Sequence, residues 1–157
     1  MREVLSVAVF DPHDPITVEN VAEAVKVYRS VVIPCSSQSI LLSTLNEQHV
    51  DAVVIGFQEP FHQTFTFLSQ IKAQAPRAEV VFLSEFDDET LWVWVEAIQR
   101  GAYEFLPKPV DLVDLRRTLL RAAEKWHPVQ TKKLPPAESI RTESLKQRLD
   151  KTMAAGT

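Results

Sequence analysis

Residues 101–109 have the sequence GAYEFLPKP. The segment 103–106 within this stretch is short and apolar, and a glycine and two prolines flank it, which is typical of a buried β-strand. A helical pattern precedes the segment over residues 88–100, and another follows it over residues 112–125. A strand between two helices is therefore predicted here, and the same alternation continues toward the N-terminus.

Four more apolar segments alternate with helical patterns upstream. The predicted strands are Leu5–Phe10, Val31–Ile33, Ala52–Ile55, Val80–Leu83 and Tyr103–Leu106. The predicted helices are Thr17–Tyr28, Gln38–Gln48, Phe65–Ala75, Asp88–Arg100 and Leu112–Lys125. Apolar strands that alternate with helices form a parallel sheet covered on both faces. Because crossovers between parallel strands are right-handed, we predict a doubly wound α/β fold, a (βα)5 three-layer sandwich around a five-stranded parallel sheet.

The composition indicates one globular domain with a tail. The chain has 157 residues, of which 45% are hydrophobic and 24% charged. We predict a domain over 1–126, a Pro/Lys linker over 127–137, and a short helical or disordered tail over 138–157. The single cysteine permits no internal disulfide, and no apolar run is long enough to span a membrane. We therefore expect a cytoplasmic chain without a membrane partner.

The charge distribution disfavours nucleic-acid binding by the domain. Residues 1–128 carry eleven Lys and Arg against eighteen Asp and Glu, whereas residues 129–157 carry six against three. Contact with phosphates needs a basic face, which an acidic domain of this kind does not supply.

Polar residues follow the predicted strands at the edge where such folds bind ligands, outside the carboxyl ends of the strands. Asp11 and Asp14 follow the first strand, and Gly56 follows the third. Ser84 ends the fourth strand, and Lys108 follows the fifth. These five positions are the candidate site.

Over residues 4–125 the chain resembles the receiver domain of bacterial two-component response regulators, which has the CheY-like (flavodoxin-like) fold. Residues 101–109 are similar to the family's Gly-Ala-x-x-aromatic-Leu-x-Lys-Pro signature. Ser84 stands where the family has Ser or Thr, and residues 51–60 are similar to its third strand and following loop.

The resemblance also implies a phosphorylation site, and this sequence departs from it. Family members end the third strand in an aspartate that accepts a phosphoryl group, whereas this chain has Gly56. They carry paired acids for Mg²⁺ after the first strand, whereas Asp11 is followed by Pro12. Phosphoryl transfer needs an oxygen nucleophile, and Mg²⁺ needs oxygen ligands. We therefore expect an atypical pseudo-receiver with no enzymatic activity, bound metal or cofactor.

Other residues of the site have structural interpretations. Lys108 is expected to pair with Asp11, since each charge would otherwise be isolated. Glu59 and Asp14 are disfavoured as replacement phosphoacceptors, and Asp51 lies at the opposite end of its strand from Gly56, roughly 16 Å away. Phe105 matches the family's switch aromatic and is expected to keep one rotamer. The sequence does not decide whether the bond before Pro109 is cis or trans.

The four histidines show no metal-binding spacing. His13, His49, His62 and His127 are scattered along the chain. They are expected to be solvated loop residues.

The function is then expected to lie on a surface. In the helix over 88–100, we expect a stripe of Leu91, Val95 and Ile98 to face the core. Trp92 with Val93, or Trp94, would then lie at or near the surface, and Trp92 and Trp94 are the candidate interface residues. The resemblance implies that the fourth helix, fifth strand and fifth helix form the face for dimerisation or output. The expected partner is another protein or a second copy of the chain, giving a homodimer.

The leading hypothesis is a phosphorylation-independent interaction module in bacterial two-component (phosphorelay) signal transduction. Two alternatives stay open. The crevice binds a small anion or nucleotide through Lys108, Ser84 and backbone amides near Gly56, or the chain is the regulatory fragment of a transcriptional regulator.

Overall fold

The computed structural model describes residues 4–57, 61–85, 87 and 90–129. The predicted tail over 138–157, and the linker beyond residue 129, lie outside these residues. The elements in chain order are β1 Leu5–Phe10, α1 Ile16–Val25, β2 Ser30–Pro34, α2 Gln38–Glu47, β3 Ala52–Gly56, α3 Phe61–Gln74, β4 Glu79–Glu85, α4 Thr90–Gln99, β5 Glu104–Lys108 and α5 Leu112–Glu124.

The five strands form one parallel sheet in the order β2-β1-β3-β4-β5. The central strand β3 pairs with β1 through Val54 and Val9 and with β4 through Gly56 and Leu83. The carboxyl ends of β1, β3 and β4 therefore meet at one edge of the sheet. This arrangement confirms the predicted α/β architecture.

Helices cover both faces of the sheet, which explains why its inner strands are mostly apolar. All six residues of β1 and all five of β3 are buried. On one face, β1, β3 and β4 pack against α1 and α5 through residues such as Val21 and Leu119. On the other face, the sheet packs against α2, α3 and α4 through residues such as Leu68 and Val93.

The predicted orientation of α4 is wrong. Leu91, Val95 and Ile98 were expected to face the core but are exposed, and the helix instead buries Val93 and Ala97 completely. Its sequence is apolar around nearly the whole circumference, so apolar spacing does not select a face.

Helix α5 is stabilised by an N-cap and by a hydrogen bond to α1. Its N-cap residue Asp111 accepts hydrogen bonds from the backbone N–H groups of Val113 and Asp114, at 2.8 and 3.0 Å. Along the helix, Arg116 Nε donates to the carbonyl oxygen of Ala24 in α1, at 2.8 Å.

At the C-terminal end of α5, polar contacts join the chain to the sheet. The buried carboxylate of Glu79, the first residue of β4, accepts from Trp126 Nε1 at 3.4 Å and pairs with Lys125 at 3.5 Å. Lys72 of α3 also contacts Glu79, at 3.2 Å. None of the described helices is long and apolar enough to cross a membrane.

Candidate functional site

The candidate site is a crevice at the carboxyl edge of the sheet. Its volume is about 350 Å³, and it is lined by Asp11, His13, Asp14, Phe57, Ser84, Glu85 and Lys108. Each strand from β1 to β5 except β2 contributes a residue at or just after its end, since parallel strands present their carboxyl ends together.

An ion cluster around Lys108 occupies the crevice. Lys108 is the last residue of β5, and its Nζ donates to Asp11 Oδ2 at 2.7 Å and to Asp14 Oδ2 at 2.9 Å. The Asp11 side chain is only 3% exposed and also accepts from the Thr17 hydroxyl at 2.7 Å. The Lys108–Asp11 pair that the sequence predicted is therefore present, and Asp14 joins it. The peptide bond between Lys108 and Pro109 is cis.

The ion cluster changes the acidity of two of its members. The hydrogen bond from Lys108 holds the pKa of Asp14 below its usual value. Burial acts to lower the pKa of Lys108, but the hydrogen bonds to Asp11 and Asp14 outweigh burial and raise that pKa. Lys108 is thus a firmly protonated cation that already has two carboxylate partners.

Asp11 fills the space beside Gly56. A Cβ atom added to Gly56 would lie 2.5 Å from Asp11 Oδ2 and closer still to Oδ1. Any side chain at position 56 therefore requires the Asp11 carboxylate to move. The glycine permits a close approach that brings the buried carboxylate against the end of β3.

Ser84 and Phe105 flank the crevice without joining the ion cluster. Ser84 lines the cavity, and its hydroxyl donates to the carbonyl oxygen of Glu85 at 3.1 Å. Phe105 is buried, with its ring centroid 5.5 Å from that of Phe57 and 6.1 Å from that of Trp94. The ring points inward and is held among aromatic neighbours.

Thr17 and Phe57 belong to the site but were not among the predicted site residues. Thr17 is almost completely buried and donates to Asp11. Phe57 follows Gly56 directly and packs against the rings of Phe65 and Phe82 as well as Phe105. The available signal for Thr17 was its place in the first turn after β1, on the predicted ligand-binding edge. Glu59 lies outside the described residues.

The two tryptophans of α4 differ in their surroundings. Trp92 is 56% exposed, and its ring makes an edge contact with Phe61 at 5.5 Å between centroids. Trp94 is partly buried against the core and stacks on Phe105. Trp92 thus lies on the exposed side of α4, together with Leu91, Val95 and Ile98.

Two of the four histidines are not solvated loop residues, contrary to the prediction. His49 Nε2 lies 2.6 Å from Asp51 Oδ1, and His127 Nε2 is hydrogen-bonded to the same oxygen. The side chains of Asp51 and His127 are 2% and 13% exposed. Sequence spacing did not reveal this group, because His127, after α5, is far in sequence from His49 and Asp51, which share the loop between α2 and β3.

Solved structures with the same fold include a response regulator from Thermotoga maritima. It matches with a TM-score of 0.69 and 21% identity, covering 77% of this chain and 98% of that one. NtrX from Brucella abortus matches with a TM-score of 0.66 and 21% identity, covering 92% of this chain and 29% of that one.

Relatives at the sequence level match over part of their length. The DNA-binding transcriptional regulator NtrC of Bradyrhizobium sp. (strain RP501 Parasponia) is 35% identical over 72 residues, which are 46% of this chain and 15% of that protein. A protein-glutamate methylesterase/protein-glutamine glutaminase 3 of Rhodopseudomonas palustris (strain BisB18) is 31% identical over 81 residues, 52% of this chain and 21% of that protein. The aligned part of the chain thus spans about a fifth or less of the length of these curated relatives.

The match to a family model is the broadest of the sequence similarities. The model of the response regulator receiver domain matches residues 7–120, which include β2 to β5, most of β1 and the crevice residues Asp11, Asp14, Gly56, Ser84 and Lys108. The chain therefore belongs to the receiver domains of two-component response regulators.

Proposed function

We propose that this receiver domain regulates its pathway by contact with a protein partner and without aspartyl phosphorylation. The observation that carries the proposal is the carboxylate of Asp11, which is bonded to Lys108 and Thr17 in the space beside Gly56. The position at the end of β3 has no side chain, and the lysine is already neutralised.

The crevice lacks a suitable nucleophile among the residues that the structure describes. Phosphoryl transfer to a carboxylate needs an oxygen that is free to attack and a cation that neutralises the transferred charge. The Asp11 and Asp14 carboxylates each accept a hydrogen bond from Lys108. Asp51 directly precedes β3, at the opposite end of that strand from Gly56 and roughly 16 Å from it. We therefore expect no phosphorylated aspartate and no enzymatic activity.

The residues present do not fit a Mg²⁺ site. Magnesium prefers near-octahedral oxygen ligation and is usually held by one or two carboxylates. Here an ammonium group lies against Oδ2 of both Asp11 and Asp14, so a cation would have to displace Lys108 from each of them. No step of the proposed function involves a metal ion in this crevice.

Charge also disfavours the anion or nucleotide alternative. Lys108 is the only cationic side chain that lines the described crevice, whereas Asp11, Asp14 and Glu85 supply three carboxylates. An anion would approach a net negative wall, and it would have to compete with two carboxylates for the same ammonium group.

The exposed side of α4 is the surface that we propose for contact. Leu91, Trp92, Val95 and Ile98, here called the α4 surface, are all exposed. Exposed apolar side chains grouped on one helix are typical of interaction sites, and tryptophan is among the residues most enriched at interface hot spots. We propose a second copy of the chain as the partner, with the homodimer formed through α4, β5 and α5.

The alternative of a regulatory fragment has one specific support. The relatives include NtrC proteins named as DNA-binding transcriptional regulators, of which this chain aligns with about 15%. The receiver would then exert its effect through an output domain of a longer protein. This alternative is compatible with the α4 surface as the point of contact.

Treatment with acetyl phosphate and MgCl2 tests the phosphorylation-independent function. Intact-mass spectrometry should show no phosphoryl adduct, while a receiver domain with aspartate at the equivalent of position 56 should show one. In parallel, beryllofluoride with Mg²⁺ should leave the amide NMR shifts around Lys108 unchanged. An adduct, or large Mg²⁺-dependent shifts at Lys108, would contradict the proposal.

Analytical ultracentrifugation tests the α4 surface. The wild-type chain should sediment as a concentration-dependent dimer, and Trp92→Ser should weaken dimerisation by about tenfold or more, as expected for a hot-spot tryptophan. Ile40→Ser is the matched control, because Ile40 is similarly exposed but lies on α2. A monomeric wild type, or equal effects of the two variants, would exclude this dimer.

A further inference from the structure

A polar cluster lies at the edge of the sheet opposite to the crevice. It consists of His49 after α2, Asp51 before β3 and His127 after α5. The ligand atoms of the three side chains all lie within 4.8 Å of one another. The rings of the two histidines meet edge to face, with 5.5 Å between their centroids. Below we call this group the His–Asp–His cluster.

The Asp51 carboxylate is oriented by the backbone. Its Oδ2 accepts a hydrogen bond from the N–H of Ser6 in β1 at 2.8 Å, in a buried position. Its Oδ1 faces both histidine rings. One oxygen is thus held by the protein while the other points at the imidazole nitrogens, which is how outer-shell hydrogen bonds orient a metal-binding carboxylate.

A carbonyl oxygen sets the protonation of the His127 ring. His127 Nδ1 lies 2.9 Å from the carbonyl oxygen of Pro128, which only accepts hydrogen bonds. Nδ1 therefore carries the proton, and in the neutral ring the lone pair is on Nε2, which faces Asp51 Oδ1. When both ring nitrogens are protonated, Nε2 donates to Asp51 Oδ1, and when Nε2 is deprotonated its lone pair can bind a metal ion held by the same carboxylate.

Glu79 has partners of a different chemical kind from those of Asp51. Glu79 is also a buried carboxylate at this edge of the sheet, but its partners are Lys72 and Lys125, whose ammonium groups cannot bind a metal. Asp51 instead has two imidazoles, each able to supply a lone pair. The partners of Glu79 neutralise its charge, whereas those of Asp51 could bind a metal ion together with it.

We propose that the His–Asp–His cluster binds one divalent transition-metal ion of the zinc type, fastening the end of α5 to the start of β3. Two imidazoles and a carboxylate suit Zn²⁺, whereas Mg²⁺ and Ca²⁺ prefer all-oxygen sites. In a tetrahedral zinc site the ligand atoms are about 3.3 Å apart, so His49 Nε2 and Asp51 Oδ1 need to separate by only about 0.7 Å from 2.6 Å. His49 is 31% exposed, which leaves room for water as the fourth ligand.

The four histidines give this proposal its own controls. His49 and His127 belong to the cluster, whereas His13 and His62 are exposed elsewhere on the domain. The untagged full chain, treated with EDTA and desalted, is titrated with ZnCl2 by isothermal titration calorimetry. We expect one Zn²⁺ per chain. His49→Gln and His127→Gln should each weaken binding by about tenfold or more, while His13→Gln and His62→Gln should leave it unchanged.

A second titration replaces Zn²⁺ with Co²⁺ and records its visible absorption, which reports the ligands directly. We expect a saturable d–d band that Asp51→Asn reduces and that Cys35→Ser, the control for thiol binding, leaves unchanged. Absence of saturable Zn²⁺ binding to the wild type would overturn the proposal, as would equal affinities of the His49→Gln and His13→Gln variants.

A measurement on the wild-type chain keeps the proposal testable even where a variant does not fold. On addition of ZnCl2, the NMR signals of the His49 and His127 rings should shift and those of His13 and His62 should not, and EDTA should reverse the change. Amide hydrogen exchange at the C-terminal turn of α5 should also slow. Shifts confined to the exposed histidines, or absent from all four, would refute a metal site here.

Discussion

Replacement of Lys108 by methionine tests how far the stability of the domain depends on the ion cluster in the crevice. Methionine keeps an unbranched side chain of similar length but removes the ammonium group. The Asp11 carboxylate, which is 3% exposed, then keeps the Thr17 hydroxyl but loses its cation. Removal of one partner of a buried ion pair costs about 3–5 kcal/mol, because the remaining charge is left uncompensated.

We expect the lower end of that range for Lys108→Met. Thr17 still satisfies one carboxylate oxygen, and the crevice is open to water, so the loss at Asp11 is about 3 kcal/mol. The contact with Asp14 adds less than about 1 kcal/mol, since that side chain is one-third exposed. With an m-value of about 2 kcal/mol/M, the urea midpoint should fall by about 1.5 M.

Urea unfolding, followed by tryptophan fluorescence and by circular dichroism, measures this loss. The double variant Lys108→Met/Asp11→Asn is the critical comparison, because it removes both charges and leaves an amide that still bonds Thr17. We expect the double variant to be about 2 kcal/mol more stable than the sum of the two single effects implies. A change below about 0.5 kcal/mol for Lys108→Met, or simple additivity in the double variant, would refute the argument from a buried pair.

Two further predictions concern pH and helix capping. Because Lys108 holds the pKa of Asp14 below the ordinary value of 3.8, the stability that this pair adds is fully present above pH 3.8 and is lost as the pH falls below it. The difference in unfolding free energy between the wild type and Asp14→Asn should thus be constant from about pH 5 to pH 8, and a decline within that range would contradict the assignment. Asp111→Ala should cost about 1 kcal/mol in urea unfolding, since it removes the N-cap of α5, whereas Asp114→Ala, one turn inside and exposed, should cost less.

The strands were predictable because they are buried on both faces. The predicted and observed bounds of β1 are both Leu5–Phe10, a segment in which Ser6 is the one polar residue. The face of α4 was not predictable in the same way, because Leu91, Val93, Val95 and Ile98 leave no polar side to mark the solvent. What decides the face is the fit of Val93 and Ala97 against the sheet, which is a property of tertiary packing.

The candidate site, too, was predictable from the sequence only in part. The ends of parallel strands meet at one edge, so Asp11, Gly56, Ser84 and Lys108 could be placed together from the order of the elements alone. The hydrogen-bond partner of each residue could not be predicted, because partners depend on side-chain rotamers. Ser84, for example, bonds the Glu85 carbonyl rather than the ion cluster.

The His–Asp–His cluster could not be predicted from sequence spacing, since residues 49 and 127 are far apart in sequence. The signal that was available lay in topology. A helix that crosses back over a parallel sheet ends at the edge where the strands begin, so the end of α5 had to return to the start of β3. A charged residue at the start of a fully buried strand, as Asp51 is, needs a polar partner at that edge.

The close approach of Asp11 to Gly56 also bears on the routes by which this sequence can change. A single substitution at position 56 places a new Cβ atom against the Asp11 carboxylate, which must then shift from its position beside Lys108 and Thr17. Substitutions at 11 and 56 are therefore not independent of each other, and the effect of either one depends on which residue the other position holds. In this chain the effect of an aspartate at the end of β3 therefore depends on whether Asp11 can shift and still bond Lys108 and Thr17.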